Sequence, residues 1–239
     1  MLVSPPQSIS VQASKDSSIT VPVRISTRST RLRLVCGISG AQLIVPAKSS
    51  KYEIESFMSL RKNWLLKTFS YYDRLISKCG RYESDALYYQ GEKYKFATLK
   101  DRQNSVIVST SMKLISFHLL DLHDTKTAIT KWYKSETEQL VNSRVPEIAA
   151  KYGLSYNKIS VKNLRSRWGS CSKKKNLNFS LLLSAAPPEV SAYVIIHELM
   201  HLVRLDHSKK FWELVESADP DYKKHRAWLV DYAPVIRVG

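Results

Sequence analysis

The chain has 239 residues, enough for one large domain or two small ones with a buried core. Apolar residues make up 44% and charged residues 24%, a globular composition that excludes a disordered or fibrous chain. Lys and Arg total 37 against 21 acidic residues, so the formal net charge is +16 and any partner attracted by charge is anionic. The cysteines Cys36, Cys79 and Cys171 are widely spaced, which argues against a disulfide framework or a thiolate zinc site.

The start of the chain, MLVSPPQSIS, lacks the basic residues and the apolar core of a secretory signal. The longest uncharged runs near the candidate site fall short of the roughly 20 apolar residues that a membrane-spanning helix needs. We therefore expect a cytoplasmic protein that has no membrane association.

The positive charge is concentrated in two acid-free stretches, residues 17–52 and residues 148–188. Basic stretches attract phosphates, nucleic acid or acidic peptides, and they can equally be solvated surface. The second stretch runs directly into the candidate catalytic helix described below. A nucleic-acid association through the basic surface is therefore one expectation.

The N-terminal part of the chain reads as strands followed by a helix. Residues 19–45 predict strands, including a hairpin from Arg31–Val35 to Gln42–Val45 that turns at Gly37–Gly40. Ser50-Lys-Tyr-Glu53 has the form of a capping box, which predicts the start of an amphipathic helix.

The middle of the chain returns to strands and then to a helix. Leu87–Phe96 predicts a hairpin that turns at Gly91-Glu92, and two short strands are predicted at 105–109 and 114–119. From Thr127 to Gly153 the apolar spacing is helical, and Pro146 is predicted to kink or split that helix. The sequence shows no internal repeat.

The segment that carries chemistry begins at Pro187 and Pro188, which suit the first turn of a helix. The run that follows is apolar nearly all round, as expected for a buried helix, yet it contains His197-Glu198-Leu-Met-His201. The two histidines are four residues apart, so both imidazoles can reach one metal ion, and Glu198 can touch a metal-bound water without being a ligand. The alternative is a structural role in which neighbouring groups satisfy the histidines.

A catalytic zinc needs a third protein ligand and one open position. His207 is six residues after His201, about 240° further round a continuous helix, so the chain must leave the helix between Leu202 and Asp206. Ser208 then predicts the N-cap of a new helix over 209–217, with Phe211 and Trp212 packed inward. Alternative third ligands are Glu213 and Glu216, whereas His118, His123 and His225 are interpreted as ordinary histidines.

Several sequence blocks resemble the YgjP-like metallopeptidase family over nearly the whole chain. The blocks are Arg167-Trp-Gly-Ser-Cys-Ser172, Leu177-Asn178, Pro188-Glu189-Val190, Tyr193-Val194, His197-Glu-Leu-Met-His201, His207-Ser208, Phe211-Trp212 and Pro220-Asp221-Tyr222. The resemblance implies zinc held by His197, His201 and His207, with Glu198 as the catalytic base. It also implies a relation to the SprT-like and WLM-type proteases of DNA-bound proteins, and a nucleotide pyrophosphatase activity is recorded for the family as well.

The Arg167–Ser172 block precedes a predicted strand at Leu177–Leu183 that leads to the catalytic helix. A strand beside the metal could pair with an extended substrate, or the hairpin could simply buttress the helix. Arginine binds an oxyanion or a phosphate bidentately. The predicted substrate-binding residues are Arg165, Arg167, Trp168 and Asn178. Cys171 as a fourth ligand would close the site and make the zinc structural.

The fold predicted from these elements is α+β. An N-terminal β-rich region with a helix, residues 1–125, is followed by an α-rich zincin-like catalytic region with a small sheet, residues 126–239, across a soft boundary. Three functions follow: a zinc metallopeptidase, a nucleoside triphosphate pyrophosphatase such as a UTP pyrophosphatase, or a nucleic-acid-binding protein with structural zinc. The corresponding partners are a peptide or protein, an anionic nucleotide, and nucleic acid.

Overall fold

The computed structural model describes residues 6–13, 17–37, 40–79, 85–164 and 166–236. The chain divides into two compact units, residues 1–82 and residues 83–239. Strands and helices alternate in blocks in both, so the predicted α+β class is confirmed. The predicted boundary at 125 falls inside the second unit, where the last strand of a sheet gives way to a long helix.

The first unit is a four-stranded sheet followed by one long helix. The strands are β1 (Ser8–Gln12), β2 (Ser18–Ser26), β3 (Arg33–Gly37) and β4 (Gly40–Pro46), and the helix is α1 (Lys51–Cys79). The strand order is β1-β2-β4-β3, with β2 and β4 parallel and both outer pairs antiparallel. Alternate strand residues and one stripe of α1 bury the apolar core of this unit, which includes Val21, Leu43, Val45, Ile54 and Leu65.

The capping box at the start of α1 is confirmed. The Ser50 backbone N–H donates to Glu53 Oε2 at 2.7 Å, and the Glu53 N–H donates to Ser50 Oγ at 3.2 Å. Each side chain therefore satisfies a backbone donor of the other residue, which fixes where the helix begins.

The second unit opens with the same arrangement of strands and helix. Its strands are β5 (Ala86–Tyr89), β6 (Glu92–Lys100), β7 (Ser105–Ser109) and β8 (Leu114–Leu119), and its helix is α2 (Thr125–Lys151). The order β5-β6-β8-β7, with β6 and β8 parallel, repeats the topology of the first unit. We call each set of four strands and a helix a module. The repeat is one of topology, which explains why the sequence did not reveal it.

The β5–β6 turn lies one residue earlier than predicted, because Gln90 and Gly91 both adopt positive φ (51° and 84°). Their backbone N–H groups donate to the carbonyls of Ser184 and Ala185 at 2.9 Å. A Cβ on Gly91 would lie 2.5 Å from Cγ of Pro187, so only glycine lets the turn pack there. The hairpin thus holds the segment just before Pro188 in place.

Helix α2 is continuous through Pro146, so of the two predicted outcomes, a kink or a split, the split is wrong. Val141, Val145 and Ala149 are buried on both sides of the proline, and their packing outweighs the lost hydrogen bond. Gly153 (φ 61°) ends the helix as predicted, and the Leu154 N–H returns to the Ala149 carbonyl at 2.8 Å.

The rest of the second unit is a three-stranded sheet and three helices. The strands are β9 (Lys158–Lys162), β10 (Gly169–Cys171) and β11 (Asn176–Ser180), and the helices are α3 (Pro188–Met200), α4 (Lys209–Ala218) and α5 (Tyr222–Tyr232). The order β10-β11-β9 places β10 at an edge, antiparallel to β11. Helix α3 lies in the core of this unit, packed against α2, α4, α5 and β10.

The buried hydroxyl of Thr137 links α2 to the segment that precedes α3. Thr137, which has no exposed surface, donates to the Leu181 carbonyl at 2.7 Å and accepts the Ser184 N–H at 3.1 Å.

Within the described ranges, no helix is apolar over a length that could span a membrane.

We expect Gly91→Ala to lower the free energy of unfolding by about 2 kcal/mol or more, because it adds a clash with the Pro187 ring to a left-handed backbone conformation. The matched control is Gly153→Ala, which has the same positive φ but no atom within 4 Å of its Cβ and should cost about 1 kcal/mol. Urea unfolding of both variants measures the difference. Equal losses would show that the contact with Pro187 contributes nothing.

Candidate active site

Helix α3 places a glutamate and two histidines in an apolar environment. Pro188 occupies its first turn, as predicted, and the side chains around the helix are buried and mostly apolar. Glu198 is 5% exposed and His201 is 7% exposed. Burial of ionisable side chains at this depth is energetically unfavourable unless they interact with a partner, so we expect these side chains to bind an ion or a ligand.

The third histidine is returned by a turn that begins where α3 ends. The Leu202 N–H donates to the Leu199 carbonyl, and the Arg204 N–H donates to the Met200 carbonyl at 3.0 Å, so the chain leaves the helix axis as the spacing required. Ser208 occupies the N-cap of α4, but its side chain makes no capping hydrogen bond. Asp206 Oδ1 instead accepts the Ser208 N–H at 3.0 Å and fixes the turn that carries His207.

The three histidines converge on one point. Nε2 of His197 and Nε2 of His207 are 3.2 Å apart, and one ring nitrogen from each of the three residues lies within 4.8 Å of the others. The Phe211 ring stacks on His201 at 4.4 Å between centroids, so an apolar wall limits the movement of that imidazole. His201 Nδ1 lies 2.9 Å from the Arg204 carbonyl, which fixes the ring and leaves Nε2 free to face the cluster.

The cluster fits a tetrahedral metal ion. Two ligand nitrogens at 2.0–2.1 Å from a tetrahedral zinc are about 3.3 Å apart, close to the separation of the two Nε2 atoms. Glu198 Oε2, buried beside them, has no hydrogen-bond partner within the described residues. An open metal site would supply the missing partner, because a metal ion or its bound water can interact with this carboxylate oxygen.

The protonation states suit metal binding. Burial, together with the neighbouring His201, His207 and Arg226, lowers the pKa of His197 to about 3. Burial also lowers the pKa of His201, against the raising effect of the Arg204 carbonyl. Both imidazoles are therefore neutral at physiological pH, with a lone pair available for a cation. Burial raises the pKa of Glu198 to about 8, an effect that the Arg167 charge partly opposes.

Glycine at position 169 lets β10 approach the glutamate. A Cβ there would lie 2.6 Å from both Cγ and Oε1 of Glu198. The structure places this glycine in strand β10, directly against the Glu198 side chain. Close approach, and not backbone conformation, therefore requires glycine here.

The histidines and Glu198 line an open cleft of about 580 Å³. Arg167 and Trp168 also line it, so the structure brings these two predicted substrate-binding residues to the site. Asn178 does not face the cleft; its amide donates to Ser170 Oγ, which does, at 3.2 Å. Arg165 lies outside the described residues.

The alternative ligands lie elsewhere. Glu213 and Glu216 face solvent and pair with Lys209 at 3.8 Å and Lys223 at 3.1 Å, respectively. Cys171 lines the cleft but does not belong to the metal-competent cluster of the described residues. Burial and the nearby Glu198 charge raise the pKa of its thiol to about 11.

Tyr193 also lines the cleft, and its place there was not predicted from the sequence. It lies one helical turn before His197, with ring centroids 5.9 Å apart, and the i, i+4 spacing was the available signal. Burial, opposed by the Arg226 charge, raises the pKa of its hydroxyl to about 12, so it remains a hydrogen-bond donor. His225, interpreted as ordinary, lies 6.2 Å from this ring and is held by Asp219 Oδ2 at 2.7 Å.

An α+β fold whose buried helix carries a glutamate between two histidines, with a third histidine returned by a turn, belongs to the metallohydrolase class. The family model described as YgjP-like, metallopeptidase domain matches residues 28–232, and the chain belongs to this family. No curated protein and no solved structure matches the chain.

Gly169→Ala should displace Glu198 and reduce hydrolysis by at least ten-fold while the histidine cluster still binds metal, because the three atoms nearest the added Cβ all belong to the glutamate. Turnover and metal content per chain are the two measurements. Gly37→Ala makes the same substitution in β3, outside the cleft and with no atom within 4 Å of the added Cβ, so it is the control and should retain turnover. Loss of metal from Gly169→Ala would mean that the substitution disrupts the whole site.

Proposed function

We propose that this protein is a zinc-dependent metallopeptidase in which His197, His201 and His207 bind the metal and Glu198 is the catalytic base. The observation that carries the proposal is the convergence of three histidines in an open cleft, beside a buried glutamate whose Oε2 has no hydrogen-bond partner among the described residues. Three protein ligands leave one coordination position for water or substrate, which is the arrangement of a catalytic site.

Zinc is the metal that the ligand set favours. An all-imidazole tetrahedral site suits zinc better than magnesium or calcium, which prefer oxygen ligands. When bound, zinc supplies a Lewis acid that acidifies a water molecule and polarises the bond to be cleaved.

The chain's own groups supply the proton transfers and the charge stabilisation. Glu198 takes the proton from the attacking water and passes it to the leaving amine, and its raised pKa makes it a competent acid as well as a base. The Tyr193 hydroxyl and the Arg167 guanidinium line the cleft, where they can stabilise the oxyanion that develops on the substrate.

The free edge of β10 favours a peptide substrate. The Trp168 carbonyl accepts the Ser180 N–H at 2.8 Å, and the Ser172 N–H donates to the Asn176 carbonyl at 3.0 Å. By alternation, the amide groups of Gly169 and Cys171 point to the open side of the strand. An extended peptide that paired with this edge would pass directly by Glu198.

A nucleotide pyrophosphatase is the second candidate, because Arg167 lies in the cleft and could hold a phosphate. Within the described residues, however, Arg167 is the only Lys or Arg that lines the cleft, whereas a triphosphate would require several cations. A purely structural zinc is less well supported, because Cys171 lies outside the cluster and no fourth ligand closes it among these residues.

Cys36 and Cys171 are free thiols, which supports the proposal that the protein works in a reducing compartment such as the cytoplasm.

The test combines metal analysis with parallel assays of wild type and Glu198→Gln on unfolded protein and on a panel of nucleoside triphosphates. We expect about one zinc per chain in both proteins, peptide cleavage by wild type, and a loss of 10²- to 10⁴-fold in the variant. Release of pyrophosphate without peptide cleavage would transfer the assignment to the second candidate. Zinc without any turnover would support a structural metal.

Tyr193→Phe should lower kcat by about 10- to 100-fold with little change in KM, because it removes a donor to charge that develops in the transition state. Zinc content should remain that of wild type, since the hydroxyl is not a ligand. An equal loss in kcat and zinc, or a change confined to KM, would contradict this role.

A further inference from the structure

We propose that the first unit binds single-stranded nucleic acid in a groove between β3 and the N-terminal half of α1. This β3–α1 groove comprises two adjoining cavities that share Leu32. The first is lined by the start of α1, the residues before β3 and the end of β4, and the second by β3 with Arg61 and Trp64 of α1. None of its residues belongs to the catalytic cleft, so the proposal is independent of the hydrolytic function.

The helix side of the groove is a stripe of exposed and half-exposed side chains. Tyr52, Ser56, Leu60 and Trp64 follow one another at intervals of four residues, so they form a stripe about 18 Å long that winds about 120° around α1 from its first residue to its last. Tyr52 is 79% exposed and Trp64 is 43% exposed. Aromatic rings left open to solvent beside cations are the platforms on which unpaired bases stack.

The groove is also strongly basic. Four of its side chains, Arg31, Arg33, Lys48 and Arg61, are exposed cations, and none pairs with a carboxylate among the described residues. Its acidic side chain, Glu53, is engaged by Ser50 in the capping box. The unit as a whole has 13 Lys and Arg against 4 acids, a net charge of +9. A phosphate backbone complements this distribution.

The second module provides an internal comparison. Its corresponding groove lies between β7 and the start of α2, where the charged lining residues are Asp124, Lys131 and Glu136. The same strand–helix topology therefore forms a groove with two acids and one cation in one copy and with one acid and four cations in the other. The positive charge of the β3–α1 groove is not a requirement of the fold.

Single-stranded nucleic acid fits this groove better than an acidic peptide or a duplex. An acidic peptide would use the cations but would gain little from Tyr52 and Trp64, and a duplex keeps its bases stacked away from both rings. Arg61 also lies over the Phe57 ring at 5.8 Å, so it presents its charge from a packed position.

The experiment measures fluorescence anisotropy of a labelled 20-nucleotide oligo-dT strand with the full chain carrying Glu198→Gln, which prevents hydrolysis from altering the signal. Arg61→Glu should weaken binding at least ten-fold and reduce the slope of log affinity against log salt by about 0.7. Lys62→Glu is the matched control: it makes the same charge change one residue away, beyond the buried stripe of α1, and should have under a three-fold effect. Lys131→Glu tests the corresponding groove of the second module and should also leave binding nearly unchanged.

The stacking contribution is tested by Tyr52→Ala and Tyr52→Phe. The alanine variant should bind about five-fold more weakly or worse, and the phenylalanine variant should bind nearly as wild type. Circular dichroism establishes that each variant is folded. The proposal is overturned if wild type fails to bind at 0.1 M salt, if Lys62→Glu and Arg61→Glu lose equally, or if a duplex or poly-glutamate competes as well as oligo-dT. Because metal content and turnover are measured separately, either proposal can fail alone.

Discussion

The desolvation of Glu198 and His197 on an apolar helix is the constraint on which the second unit depends. Moving these groups out of water is unfavourable unless a partner compensates, and a bound cation would be such a partner. The same burial keeps the imidazoles of His197 and His201 neutral. It also raises the pKa of Glu198, so that this carboxyl group can exchange a proton near neutral pH. Burial of Glu198 and His197 therefore lowers the stability of the folded unit, and the same burial gives these groups the protonation states that suit metal binding and proton transfer.

The parts around α3 hold this unfavourable helix in position. The β5–β6 hairpin and Thr137 form hydrogen bonds to the segment that precedes α3, and Asp206 stabilises the turn that follows it. The edge strand β10 closes one side, with a glycine where the glutamate requires space. A metal site needs supports of this kind, because ligands that drift by an ångström no longer share one ion.

Much of the site was predictable because its signals are local. The i, i+4 spacing of His197 and His201, the proline start of α3 and the departure from the helix before His207 all follow from helix geometry. The contact of Gly169 with Glu198 was not predictable, since it joins residues 29 positions apart through the packing of a sheet edge on a helix. Neither was the continuity of α2 at Pro146, where burial of the flanking residues overrides local propensity.

Two modules of identical topology in one chain create a hazard during folding. Strands that occupy equivalent places, such as β4 and β8, could exchange partners before either sheet is complete, and misassembly of this kind is characteristic of repeated folds. Pairing depends on matched register and on side-chain fit across the strands, so divergence between the two copies lowers the stability of a mixed sheet. The absence of any visible repeat in the sequence is thus itself protective, because two copies that no longer resemble each other cannot readily substitute for one another.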